Sequence, residues 1–258
     1  MSEHEHLILS EFSRQADAMS KAAIFNDENV LARICEAGQL TSRSRVLDVA
    51  CGPGIVVEAL ARAAGEVVGC DITPEMLDKA RDRCAAAGLT NVCFVPGRAE
   101  ALPFEDASFD AVVSRSAVHH FPDPAAALRE MARVVKPGGR VITVDVQSAE
   151  SVEDAALHNA LETLRDPSHV RMLPKSELSR ALAGADLVVE SRTSWTNHRE
   201  FAEWMQITAA PERTAPLKVV MTALASRGAT AGINLRLEDG KLRFDHTAAL
   251  TVAVKRSG

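Results

Sequence analysis

An apolar run that ends in glycines is the feature that most constrains how this chain can fold. Val46, Leu47 and Val49 form the run, and Gly52-Pro53-Gly54 lies just beyond it. An amphipathic run, Ile55 to Ala64, follows, so the segment predicts a buried strand, a tight turn and a helix. Glycine lets the main chain approach a ligand closely, and the helix N-terminus offers unpaired N–H groups. Such a unit is typical of a site for a nucleotide-like ligand.

Strand and helix patterns alternate between residues 46 and 146. The predicted strands lie at 46–50, 66–71, 92–96, 109–114 and 140–146, and the predicted helices at about 54–64, 74–87 and 123–135. Thr73-Pro74-Glu75 is expected to open the second of these helices with a capping hydroxyl, and Asp123-Pro124 to open the third in the same way. This alternation predicts a mostly parallel sheet with helices on both faces.

The two flanks of this region carry other patterns. Residues 7–38 contain two helical patterns, which predict an N-terminal helical cap. Helical patterns at 151–165, 175–184, 199–207 and 212–226 are mixed with β-like runs at 187–195 and 242–255. We expect the two β-like runs to complete a Rossmann-like, seven-stranded α/β sheet, with helices inserted after strand five. We expect one domain over 1–258, made of a helical cap (1–40), a cofactor-binding core (41–147), and lid helices with the last two strands (148–258).

Composition and charge limit the classes of partner that the chain is expected to bind. The formal net charge of −6 over 258 residues argues against a strongly basic nucleic-acid surface. No apolar run approaches the roughly 18 residues that cross a bilayer, and the acidic N-terminus does not resemble a signal peptide. We therefore expect a cytoplasmic protein with no nucleic-acid partner and no membrane insertion.

The cysteines indicate a reducing compartment. There are five, an odd number, with no C-x-x-C pair and none in the last 165 residues: Cys35, Cys51, Cys70, Cys84 and Cys93. This pattern predicts reduced, mostly buried thiols and no metal site.

The ends of the predicted strands supply the candidate binding residues, because open parallel sheets bind ligands beyond the carboxyl ends of their strands. The second strand ends at Asp71, 19 positions after Gly52, a distance at which an acid accepts hydrogen bonds from ribose hydroxyls. Ile72 and Met76 follow and are expected to pack on a flat purine. The third strand ends in a turn that begins at Gly97 and suits contacts to an adenine edge.

Candidate catalytic residues lie after the fourth and fifth strands. His119 and His120 follow the fourth strand, and histidine there can act as acid or base, or can be structural. His169 and Arg171 lie in a Pro-interrupted segment of the lid. Arg171 could bind a substrate carboxylate or phenolate, or could fix the lid through an ion pair, for example with Asp166. Five apolar residues could line an acceptor pocket or belong to the core: Phe12, Met19, Trp195, Trp204 and Met205.

Five motifs occur in register and carry a resemblance to a known family. They are Leu47–Gly54, Gly69–Leu77, Ala99–Phe104, His119–Asp123 and Val135–Gly139. This set resembles the class I S-adenosylmethionine-dependent methyltransferases, and it is most similar to the group related to the ubiquinone and menaquinone biosynthesis C-methyltransferases. The segments Leu164–Arg171 and Phe201–Trp204 are similar to those of one bacterial subgroup.

The resemblance implies S-adenosyl-L-methionine as cofactor and a role for each motif. The loop with Ala50, Gly52 and Gly54 would contact the methionine moiety and the ribose, and Asp48 would position the ammonium group. Asp71 would bind the ribose hydroxyls, and Ile72 and Met76 would enclose the adenine. The turn of Gly97, Arg98 and Ala99 would reach the adenine edge, and Ser114, Arg115 and Ser116 would lie near the methyl group. Arg98 replaces the Asp of many relatives and cannot accept a proton from adenine, so it would stack on the purine or point to solvent.

The activity implied by the resemblance is methyl transfer to a small-molecule acceptor by in-line displacement. A general base is needed only where the acceptor must lose a proton. Two other functions are compatible with the same fold. One is an enzyme that catalyses a cyclisation or rearrangement without methyl transfer, and the other is a non-catalytic binding protein. A nucleotide-dependent dehydrogenase is disfavoured because Ile55-Val56-Val57 follows the loop in place of a third glycine. The residues do not identify the acceptor, or whether a nitrogen, oxygen, carbon or sulfur atom is methylated. The oligomeric state is also open, and a homodimer is one expectation.

Overall fold

The computed structural model describes residues 2–256, which form a sheet flanked by helices. The helices are α1 (Glu3–Lys21), α2 (Glu28–Gly38), α3 (Ile55–Ala61), α4 (Pro74–Ala86), α5 (Pro124–Val134), α6 (Val152–Arg165), α7 (Lys175–Gly184), α8 (Phe201–Gln206) and α9 (Pro211–Ser226). The strands are β1 (Arg45–Val49), β2 (Glu66–Asp71), β3 (Val92–Pro96), β4 (Phe109–Arg115), β5 (Val135–Gln147), β6 (Leu187–Glu200), β7 (Arg236–Glu238) and β8 (Lys241–Lys255).

The strands follow the order β3-β2-β1-β4-β5-β8-β6 across the sheet, and β7 pairs with β8. The first five strands are parallel to one another, while β8 runs antiparallel to both β5 and β6. The order reverses between β1 and β4, so the carboxyl ends of these two strands flank the crevice where such sheets bind ligands. The predicted Rossmann-like α/β fold is confirmed.

One short strand was not predicted. Arg236–Glu238 pairs with the start of β8 through a two-residue turn at Asp239 and Gly240, which have φ values of 50° and 74°. Two left-handed residues of the Asp-Gly type are the signature of a tight hairpin. The described sheet therefore has eight strands, where seven were expected.

The helix starts differ in one detail from the prediction. Asp123 caps α5 by accepting a hydrogen bond from the N–H of Ala126 at 2.9 Å, as expected. Thr73 precedes Pro74 at the start of α4, but its hydroxyl makes no capping hydrogen bond. The N–H of Thr73 instead donates to Asp71 Oδ1 at 2.8 Å, so the start of α4 is attached to the end of β2.

Three groups of buried apolar side chains stabilise the fold. One lies between the sheet and the side of α5 and α7, and a second lies between the sheet and the side of α2, α3 and α4. The third lies away from the parallel strands, where Trp204, Met221 and Phe244 pack together with side chains of α6, α8, α9 and β8. Helices α6, α8 and α9 thus share a core of their own, and they form a wall beside the ligand-binding edge.

Helix α1 lies across α4 at the same edge. Ser13 donates a hydrogen bond to Glu75 at 2.8 Å, and Lys79 pairs with Asp17 at 2.5 Å. These contacts hold the N-terminal helix over the carboxyl ends of β1 and β2.

The cysteines are free thiols, as predicted. Cys51, Cys70 and Cys84 are buried, Cys35 is half-buried and Cys93 is exposed. In the described part of the chain, none of the helices combines the length and the apolar character needed to cross a membrane.

Candidate active site

The loop after β1 contains three left-handed residues in five positions. Ala50, Gly52 and Gly54 have φ values of 56°, 52° and 78°. An alanine in this region is strained, and such residues cluster at functional sites. A Cβ atom on Gly52 would have no neighbour within 4 Å, because the loop borders open space there. The loop therefore presents backbone to a cavity.

Gly54 serves packing and does not line that cavity. A Cβ atom at this position would lie 2.8 Å from the Cβ of Ala80 on α4. The glycine thus allows α3 and α4 to approach each other closely.

Replacing Gly54 with alanine is expected to destabilise the protein by about 2–4 kcal/mol, the sum of a left-handed alanine and an overpacked contact. Gly88→Ala is the matched control, because Gly88 has a φ of 69° but open space around its Cβ position. Urea unfolding measures both variants, and we expect the control to lose only about 1 kcal/mol. Equal losses in the two variants would contradict the packing role.

Asp71 connects the glycine loop to α4. Its Oδ2 accepts a hydrogen bond from the N–H of Gly52, and its Oδ1 accepts one from the N–H of Thr73, both at 2.8 Å. Burial raises the pKa of Asp71, and these backbone hydrogen bonds oppose the rise. Each carboxylate oxygen has a second lone pair, so the carboxylate can also accept hydrogen bonds from a ligand in the cavity.

Asp48 lies deeper and is 1% exposed. Among residues 2–256, its Oδ2 has no hydrogen-bond partner. Burial raises the pKa of Asp48 well above its ordinary value, as does the charge of Asp71, while Arg115 acts in the opposite direction. A buried carboxylate oxygen without a partner is complementary to a cationic group such as an ammonium.

These residues border an open cavity, and the empty space within it and at its mouth is about 1050 Å³. Eleven of the thirteen predicted binding residues line it: Asp48, Ala50, Gly52, Asp71, Ile72, Met76, Gly97, Arg98, Ala99, Arg115 and Ser116. The other two, Gly54 and Ser114, are absent from the lining. Ser114 is fully buried behind it, with a hydroxyl that has no hydrogen-bond partner in the described chain.

Helix α1, the first helix of the predicted N-terminal cap, forms a roof over the cavity. Its contribution to the lining is His4, Glu5, Ile8, Phe12 and Met19. Phe12 and Met19 were considered for an acceptor pocket, but no local signal indicated where α1 would lie. Arg98 pairs with Glu5 and lies 4.0 Å from Glu100. It therefore attaches α1 to the turn after β3, a role different from both stacking on a purine and pointing to solvent.

A second cavity of about 890 Å³ adjoins the first. The residues that line both are Phe12, Met19, Phe25, Arg115, Ser116 and His120. Its other walls come from the ends of β5, β6 and β8 and from the helices after β5. Its ionisable lining residues are Asp27, Arg115, His119, His120, Asp145, Glu162, Arg165, Asp166, Arg199 and His246.

Arg115 lies where the two cavities meet. It donates hydrogen bonds to the carbonyl oxygens of Phe25 at 2.7 Å and Ile24 at 2.9 Å. Burial lowers the pKa of Arg115 to about 10, with the charge of Asp48 opposing it. The guanidinium thus holds the segment between α1 and α2 in place over the junction.

His119 and His120 differ in their surroundings. The Nδ1 atom of His119 lies 2.5 Å from Asp145 Oδ1. Burial lowers the pKa of His119, but the charge and hydrogen bond of Asp145 outweigh it, so the pKa is raised. The Nδ1 atom of His120 lies 3.0 Å from the carbonyl oxygen of Ser168, and burial lowers the pKa of His120 to about 4. His119 therefore has the carboxylate partner that orients a general base.

The lid candidates lie outside both cavities. The Nε2 atom of His169 lies 2.8 Å from Asn159 Oδ1, and burial lowers the pKa of His169 to about 3. Arg171 pairs with Glu177 on α7, whereas Asp166 accepts hydrogen bonds from Gln15 and Ser168. The ion pair expected as an alternative for Arg171 is thus present, with a different partner.

Comparisons with known proteins agree with this geometry. Residues 47–143 match a family model described as a methyltransferase domain. The chain is 34% identical over 200 residues to the uncharacterized methyltransferase YcgJ of Bacillus subtilis, covering 78% of this chain and 79% of that protein. The crystal structure of YcgJ matches with a TM-score of 0.83 and 32% identity, over 90% of this chain and 100% of that one. A demethylmenaquinone methyltransferase from Shouchella clausii is 42% identical over 102 residues, which are 38% of this chain and 43% of that protein.

The mostly parallel sheet, the glycine loop after β1 and the acid at the end of β2 are consistent with these matches. The chain belongs to the class I S-adenosylmethionine-dependent methyltransferases.

Proposed function

We propose that the first cavity binds S-adenosylmethionine and that the second binds a small-molecule methyl acceptor, with His119 as general base. The observation that carries this proposal is the junction of the two cavities at Arg115, Ser116 and His120. A donor and an acceptor bound on either side of that junction would meet beyond the carboxyl ends of β1 and β4.

The lining of the first cavity fits the cofactor. Asp48 Oδ2, which lacks a partner in the part of the chain described, would accept from the ammonium group. Asp71 would accept from the ribose hydroxyls, and Ile72 and Met76 would pack on the adenine. When bound, the cofactor supplies an electrophilic methyl group on a sulfonium. The neighbouring residues hold that group in line with the acceptor and exclude water, which are the main tasks in such a displacement.

The second cavity fits a small acceptor. Side chains from α1, β5, β6, β8 and the helices after β5 surround the cavity on several sides. Trp195, Trp204 and Phe12 supply aromatic surface, and the ionisable side chains supply polar contacts. A relative over 102 residues is named for methylation of demethylmenaquinone, a small molecule, which favours this class of acceptor.

His119 would remove a proton from the acceptor. Asp145 accepts from Nδ1 and thereby fixes the tautomer that leaves Nε2 unprotonated. The carboxylate also stabilises the imidazolium that forms when Nε2 takes a proton. Asp145 acts as a positioning residue, and the pair supports an acceptor with an ionisable hydroxyl, enol or activated carbon.

The test is a screen for formation of S-adenosylhomocysteine. The purified protein is incubated with S-adenosylmethionine and panels of phenols, quinols, carboxylic acids, amines and thiols, with tRNA and denatured protein as macromolecular acceptors. We expect turnover with one class of small molecule, preferentially one that carries a hydroxyl or an acidic carbon. Turnover with tRNA or protein alone, or with none of the panels, would contradict the proposal.

A further inference from the structure

A cluster of two histidines and a glutamate lies at the wall of the second cavity. His158 and Glu162 are four positions apart on α6 and so share one face of that helix. His246 on β8 faces them, and one ligand atom from each residue lies within 4.8 Å of the others. Glu162 and His246 both line the second cavity.

Four polar atoms of this cluster are buried and have no hydrogen-bond partner in the described chain. His158, Glu162 and His246 are 1%, 3% and 3% exposed. Within the described chain, Nδ1 and Nε2 of His158, Oε1 of Glu162 and Nε2 of His246 have no partner with hydrogen-bond geometry. Leaving such groups unsatisfied in a protein interior is unfavourable, so a ligand is expected to satisfy them.

The distances in the cluster suit a shared metal ion. Glu162 Oε1 lies 3.2 Å from His246 Nε2 and 3.7 Å from His158 Nε2. Metal–ligand bonds of about 2.0–2.2 Å place neighbouring ligand atoms about 3.0–3.5 Å apart. The separation from His246 lies in this range, and that from His158 is slightly longer.

The second oxygen of Glu162 is already occupied. Arg165 Nη1 lies 3.3 Å from Glu162 Oε2, and the guanidinium of Arg165 stacks 4.7 Å from the ring of Trp204. This contact leaves Oε1 as the single carboxylate ligand and fixes the carboxylate plane. The arrangement matches a site with three protein ligands and open positions.

We propose that His158, Glu162 and His246 bind one divalent transition-metal ion, with its open coordination positions facing the second cavity. Two imidazoles and one carboxylate form the donor set of catalytic zinc sites and of non-haem iron sites. The role of the ion rests on the proposed function: an acceptor oxygen coordinated there would lose its proton more readily, because the cation stabilises the anion that remains.

The test is a metal titration of the full chain after dialysis against a chelator. Calorimetry with Zn²⁺ is expected to show one ion per chain, and Co²⁺ is expected to give the visible absorption of a nitrogen- and oxygen-ligated ion. Glu162→Gln and His246→Gln should each weaken Zn²⁺ binding by more than the roughly 10–100-fold that loss of an outer-shell partner costs. His198→Gln is the matched control, since His198 also faces a carboxylate, that of Asp245, but its side chain is 76% exposed.

The outcomes of this titration test the metal site independently of the proposed methyl transfer. Absence of Zn²⁺ binding and of a Co²⁺ spectrum in the wild-type chain would overturn the site, as would binding that the cluster variants leave unchanged. Circular dichroism identifies a variant that fails to fold. In that event the Co²⁺ spectrum of the wild-type chain decides whether the metal site exists. Because the titration needs neither cofactor nor acceptor, failure of methyl transfer would leave the metal result standing.

Discussion

Asp71→Ala is expected to weaken binding of S-adenosylmethionine by about 5- to 150-fold, the equivalent of roughly 1–3 kcal/mol. The substitution removes the proposed partner of the ribose hydroxyls. It also leaves the N–H groups of Gly52 and Thr73 without the acceptors that hold the loop and α4 together. Isothermal titration of wild type and variant measures the change directly.

Two comparisons make this result specific. Asp78→Ala is the matched control, because Asp78 lies nearby on helix α4, which follows Asp71, and its side chain is 73% exposed. It should leave the affinity unchanged. Asp71→Asn keeps the side-chain volume and one carbonyl acceptor, so its loss should be smaller than that of Asp71→Ala. An unchanged affinity in Asp71→Ala would remove this carboxylate from the binding site.

His119→Gln is expected to lower kcat by about 10²–10⁴-fold with the acceptor that the screen identifies. Glutamine keeps hydrogen-bonding capacity but cannot accept a proton near neutral pH. The matched control is His198→Gln, because the Nδ1 of His198 also lies 2.8 Å from a carboxylate oxygen, on the protein surface. Steady-state kinetics with saturating cofactor measure both variants. A full rate in His119→Gln would show that the acceptor reacts without this base.

The pH profile supplies a second test of the same pair. A general base works only when it is neutral, so activity is present above the pKa of His119 and is lost as pH falls through it. Asp145 raises that pKa against the effect of burial, so the acid limb of kcat/KM should lie above about 6.5, the ordinary imidazole value. Asp145→Asn removes the raising charge and should move the limb to lower pH. A limb that stays in place would exclude His119 as the titrating group.

Local patterns were sufficient to predict the core of the fold. The strands at 46–50, 66–71 and 92–96 were predicted correctly to within one position, because buried parallel strands are short apolar runs bounded by glycine, proline and polar residues. The short strand β7 was missed because three residues carry almost no periodic signal. The Asp239-Gly240 turn was the one local sign of it.

The binding loop could also be predicted, because its residues are close together in the sequence. The contacts that complete the site are not local. Arg98 pairs with Glu5 across 93 positions, and His246 lies 84 positions beyond Glu162. Asp145 was overlooked because an acid inside a strand has no distinctive pattern, and only the pairing of β4 with β5 brings it beside His119.

The most direct test of the central claim is a crystal structure of the protein with S-adenosylhomocysteine. We expect the ammonium group on Asp48, the ribose on Asp71, the adenine between Ile72 and Met76, and the sulfur atom turned toward the second cavity at Ser116. A nucleoside bound elsewhere, or a sulfur atom that faces away from the second cavity, would contradict the account.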